Sequence, residues 1–149
     1  MSGLIYTATR SNFSSGTALT DLFVLGTSSA VPILVHEIRV TSANLTDVRQ
    51  PLRLIRRTAG PTGGASVTPE PINLRNTVAA ATTVTSLPTS VGTAGDLLES
   101  ELWSILMPYS RLISVKPYIV PVSSWLALEL AAAPGSAYNV SFVVKFEEL

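Results

Sequence analysis

Apolar and polar residues alternate with period two along much of the chain, while helical stripes are scarce. Residues 139–147 are the clearest case. Val140, Phe142, Val144 and Phe146 fall on one face, with Asn139, Ser141, Lys145 and Glu147 on the other. Residues 124–131 place Leu126, Leu128 and Leu130 together, with Ala127 and Glu129 opposite. In residues 31–42, unbroken alternation puts Leu34, His36, Ile38 and Val40 on one face and Glu37 and Arg39 on the other. Each is the pattern of a half-buried strand. Weaker β-branched or alternating runs cover residues 4–10, 20–25, 51–58, 78–86, 98–106 and 112–120. Residues 97–107 also fit a short helix, since Leu98, Leu102 and Ile105 stand at helical spacing; the surrounding β pattern favours a strand.

Turn residues punctuate these runs at Gly26–Ser29, Gly60–Gly64, Pro69–Pro71, Gly92–Gly95 and Pro134–Ser136. Strands at this spacing predict an all-β, single-domain, jelly-roll-like antiparallel β-sandwich. Residues 59–77 read as a long exposed loop. Residues 1–17 read as an N-terminal strand or arm, because the polar stretch Ser11–Thr17 loosens them from a sandwich domain at 18–149.

Composition narrows the function classes. The chain has 149 residues and no cysteine, so disulfides and thiolate metal sites are excluded. Ten Lys and Arg balance ten Asp and Glu, which argues against a nucleic-acid footprint. Only 13% of residues are charged, against about 25% in an ordinary soluble domain. A surface with so few charges and no net charge favours self-association. No apolar run approaches the roughly 20 residues of a spanning helix, and no secretory signal pattern opens the chain, so no membrane partner is expected.

Catalytic material is sparse, and the expectation is a protein that is not an enzyme and takes no cofactor. The single histidine, His36, lies mid-strand and reads as a core or edge side chain with a backbone partner; a metal or anion ligand on a symmetry axis is the sharper alternative. Glu99 with Glu101, and Glu147 with Glu148, are the paired carboxylates, and they read as solvated edge charges. The run Gly60-Pro61-Thr62-Gly63-Gly64 lacks the Lys-Ser/Thr of a phosphate loop and reads as a turn. Arg53, Arg56 and Arg57 form the basic cluster, read either as a solvated face or as a fork for a partner's carboxylates. Arg53 and Arg57 should share a face with Ile55, and Arg56 should go with Leu52 and Leu54. Trp103 and Tyr109 stand out among the large amphipathic aromatics as candidate interface anchors. The partner-binding candidates are therefore Arg53, Arg56, Arg57, Trp103 and Tyr109.

Three stretches carry a resemblance. TDLFVLGTSSAVPILVHEIRVTSAN at 20–44 and PLRLIRRTAGPTGGASVTPEPIN at 51–73 pair a "pv-hei-v" strand with an "lrv-r-t" strand and a Thr/Gly-rich loop. LALELAAAPGSAYNVSFVVKFEE at 126–148 adds a leucine-alternating strand, an Ala-Pro turn and a Val/Phe strand. Together these resemble the small jelly-roll cement, or head decoration, proteins of tailed-bacteriophage capsids. The resemblance implies a structural virion protein, assembled in the host cytoplasm and carried on the outer capsid surface. Its implied partners are the phage major capsid protein and further copies of itself, a homotrimer being favoured and a homodimer the alternative. A receptor- or glycan-binding head of a tail fibre would use the same kind of fold. No binding residue is carried over, because the likeness is one of strands and turns.

Overall fold

The computed structural model describes residues 3–112 and 118–149. Its described residues form twelve strands and no helix, arranged as two antiparallel sheets packed against each other. One sheet contains β1 (Leu4–Ser14), β3 (Ile33–Thr41), β6 (Glu70–Pro71), β9 (Tyr109–Leu112), β10 (Tyr118–Val120) and β12 (Asn139–Glu148). Its order is β10-β3-β12-β1-β6, and β9 also pairs with β3. The other contains β2 (Asp21–Gly26), β4 (Arg49–Arg57), β5 (Ala65–Val67), β7 (Thr83–Ser86), β8 (Ala94–Ser104) and β11 (Trp125–Leu130), in the order β5-β7-β2-β11-β4-β8.

The pairing is nested. β1 pairs with β12, β2 with β11, β3 with β9 and β10, and β4 with β8. The chain thus behaves as one long antiparallel ribbon rolled over itself, which is the jelly roll expected from the strand pattern. Between the sheets lies a single core in which Tyr6, Phe23, Phe142 and Phe146 are fully buried beside Leu126, Leu128 and Leu130. Phe142 packs on both Phe13 and Phe23, tying β12 to β1 and across the sandwich to β2. β1 is an integral strand of its sheet, paired with β12 from Leu4 to Ser14.

Three expectations are corrected. First, unbroken alternation fails in β3. Val35 pairs with Phe146 and Glu37 with Lys145, so His36 is an extra residue, a β-bulge. The phase flips there. Ile33 and Val35 face the core before the bulge, Ile38 and Val40 after it, and Leu34 and His36 face outward. Second, residues 59–77 are no simple loop, since they contain β5 and β6. Third, the run at 78–86 is a strand only over Thr83–Ser86. The segment at 97–107 is strand β8 as far as Ser104. Of the run at 112–120, residues 113–117 lie outside the described residues, and β10 covers the end.

The insertion between β4 and β8 closes one lateral side of the sandwich. β6 lies on the β1 edge of the first sheet, and β7 with β5 extends the β2 edge of the second. Glu148 in β12 fastens this insertion, accepting hydrogen bonds from both the backbone N–H and the hydroxyl of Thr82 at 2.8 Å each. On the opposite side, β8 ends the second sheet with no strand beyond it among the described residues.

Candidate partner-binding surface

The outer face of the second sheet carries an ion-pair network that begins with a bulge. Leu128 pairs with Phe23 and Glu129 with Asp21, so Leu22 is extra in β2. Both Leu22 and Phe23 then enter the core, and Asp21 is turned beside Glu129. Arg53 of β4 pairs with Glu129 from the other side. Two carboxylates side by side would repel, and two arginines neutralise them. Arg53 Nη2 bonds Glu129 Oε1 at 2.6 Å, and Arg57 holds Asp21 through two bonds at 2.8 and 2.5 Å. Arg57 Nη1 also donates to the carbonyl of Gly92 at 3.0 Å, pinning the loop that lies over the network.

Arg57 stands opposite Trp125, four residue rows from Asp21, so its stem crosses the row formed by Val24, Ile55 and Ala127 on the same face. That small apolar cluster is buried on a face that would otherwise be open, with Trp125 packed against it. Burial pushes the Asp21 carboxyl above its ordinary range, while the bonds from Arg57 pull it back down. Glu129 and Arg53 line a recess of about 170 Å³ beside Leu19 and Val91.

The five sequence candidates separate on this geometry. Arg53 and Arg57 do share the Ile55 face, as expected, but their forks are engaged by Glu129 and Asp21, and Arg57 is buried. Arg56 points to solvent, 3.8 Å from Asp96. It alternates with Leu52 and Leu54 as expected, in the row of Leu126, but near the strand end, where its side chain is solvated. Trp103 is a core side chain, its indole N–H donating to the Met107 carbonyl at 2.6 Å. Tyr109 is also in the core, and burial pushes its hydroxyl up to about 12. Arg56 is thus the candidate with an outward, loosely held group, while Trp103 and Tyr109 serve the interior.

Carboxylates read as solvated turn out to be engaged. Glu99 and Glu101 of β8 both meet Arg111 of β9, a bridge from one sheet to the other. Glu147 accepts the Gly3 N–H at 2.8 Å and lies 3.0 Å from His36 Nε2, so among the described residues the bulged histidine has a carboxylate partner and not a backbone one. The bond to His36 and the one from Gly3 hold the Glu147 carboxyl below the ordinary range. At least seven of the ten Lys and Arg, and eight of the ten Asp and Glu, are engaged in ion pairs within the chain.

Several large apolar side chains remain outward among Ser and Thr. Near the closed side, Leu4, Ile5 and Ile72 line a groove of about 340 Å³, and Leu74 beyond it is 95% exposed. Near the open side, Leu97, Leu102, Leu106, Met107 and Ile119 are exposed. Sequence reasoning missed these leucines, since a strand pattern alone does not say which apolar residues lack a neighbour. Asp21 did leave a signal: a lone carboxylate opening the apolar run Leu22–Leu25 needs a buried counter-charge.

Comparison with known protein families, with curated proteins and with solved structures finds no match to this chain.

Proposed function

We propose that the chain is a structural virion protein, a cement or decoration protein. It binds the outer surface of a tailed-phage capsid, contacts the major capsid protein and stabilises the shell as a homotrimer. The observation that carries this reading is the surface itself. Most of the few charges are consumed in pairs within the chain, and large apolar side chains are left outward on both lateral sides. Such a surface suits dry subunit contacts better than a lone monomer in water. The jelly-roll topology adds support, being a recurrent architecture of viral capsid proteins. The sequence resemblance points the same way.

The physics of the role is multivalency. Each contact with the shell can be weak when an oligomer engages several at once. The closed lateral side, with β6 over β1 and β7 over β2, limits open-ended strand pairing between copies. The test is the disruption temperature of expanded, undecorated capsids of the phage that encodes the chain. Added protein should raise it in a saturable way; an unchanged temperature with no bound protein contradicts the reading.

A further inference from the structure

The longest uncovered backbone edge in the described structure belongs to β8, whose residues Ala94–Ser104 pair only with β4. The ladder says which backbone groups are free. The Ala131 N–H donates to the Pro51 carbonyl, so residue 51 turns its backbone away from β8 and toward β11. The Ile105 N–H donates to the Val48 carbonyl, three rows along in the same register. Hydrogen-bonded and non-bonded rows alternate in an antiparallel pair. The rows at Ser100, Leu102 and Ser104 are therefore non-bonded toward β4 and point outward; the Ser104 carbonyl accepts the Met107 N–H, so the groups left for a new strand are those of Ser100 and Leu102 and the Ser104 N–H.

The side chains flanking this edge differ by face. Leu102 pairs with Pro51 and Leu97 with Ile55, on the outer face, and they are 59% and 56% exposed. Glu99 and Glu101 pair with the core residues Leu54 and Leu52, so they face the gap between the sheets. Among the described residues a single cation, Arg111, meets both of them. The edge is thus apolar on one face and carries surplus negative charge on the other.

We propose that β8 is a docking edge for an extended segment of a partner protein, added as a further antiparallel or parallel strand. The fitting segment alternates apolar residues, which lie along Leu97 and Leu102, with Lys or Arg, which lie beside Glu99 and Glu101. Main-chain hydrogen bonds supply the affinity and the alternation supplies the selection. A second copy of β8 fits poorly, because its own Asp96, Glu99 and Glu101 would bring like charges together across the new pair. The edge geometry holds whether or not the partner is a shell protein. A chain that stabilises capsids but fails the test below would keep the capsid reading and lose the docking edge.

The probe is a synthetic peptide of the length of β8 that alternates valine and lysine, with a valine–glutamate peptide as its counterpart. Binding is read by fluorescence anisotropy, and amide exchange is read by NMR. The lysine peptide should bind at one per chain and slow the exchange of the Ser100, Leu102 and Ser104 amides, and the glutamate peptide should not. Ser100→Pro removes an outward N–H without touching the β4 ladder and should weaken binding roughly tenfold or more. Leu102→Lys, at an exposed position, tests the same edge with the backbone intact and should also weaken it. Equal binding of the two peptides overturns the proposal. So does unchanged binding by both variants, or concentration-dependent protection of those amides in the free chain, which would mean that a second copy occupies the edge.

Discussion

Arg57 grips Asp21 with two parallel hydrogen bonds, Nε to Oδ2 at 2.8 Å and Nη2 to Oδ1 at 2.5 Å, and both side chains are sealed from water. Burying two charges is expensive, and only mutual pairing with good geometry offsets it. Removing one partner therefore costs far more than removing both. Asp21→Ala should destabilise the fold by about 3–5 kcal/mol, because Arg57 is left buried with only the more distant Glu129 carboxylate. The double change Asp21→Leu with Arg57→Met should cost much less. Urea denaturation of the three proteins checks this; a double variant as unstable as the single one contradicts it.

The loop over that pair depends on a glycine. A Cβ built on Gly92 would sit 1.8 Å from the Ala59 carbonyl oxygen, which is backbone and cannot rotate away. Gly92→Ala must therefore shift the loop and disturb the Arg57 bond to the Gly92 carbonyl. A loss of about 1–3 kcal/mol is expected in thermal or chemical unfolding, as for other overpacked sites.

Glu147 predicts an acid-side weakness. Its carboxyl is held below the ordinary 4.5 in the folded chain, chiefly by the His36 bond. A depressed acid contributes stability that is present above its unfolded value and lost as the pH falls through the folded one. The fold should therefore weaken on acidification from about 4.5 downward, and Glu147→Gln should flatten that limb. Denaturation midpoints measured across this range decide it. Identical acid limbs in the two proteins would sink the assignment.

Self-association should appear in solution. Light scattering of the free chain is expected to give three times the 15.8 kDa of one copy. The mass should be insensitive to added salt, because the exposed large side chains available for contact are apolar and most charges are already paired. A mass of one copy at every concentration runs against the proposed trimer.

Much of the fold was legible because buried strands obey a simple period. The alternations at 126–130 and 140–146 read directly onto the core positions of β11 and β12. Phase errors arose where the backbone adds a residue. Nothing in the letters around His36 announces the bulge that turns Leu34 outward, since bulges are set by the partner strand. The two- and three-residue strands β6 and β5 are too short to carry any pattern. The candidate surface was less legible still. Arg57 looks available in sequence because its partner Asp21 is 36 positions away, brought near only by the β2–β11–β4 pairing. Trp103 and Tyr109 look like anchors because an amphipathic aromatic reads alike in a core and at an interface.

The most direct measurement of the proposed role is an electron cryomicroscopy map of expanded, undecorated shells of the proposed encoding tailed phage, incubated with the chain. The account predicts additional density on the outer surface at symmetry-related positions, with a sandwich-sized lobe for each copy. Shells that stay bare at saturating protein, or density confined to a tail fibre tip, would contradict it.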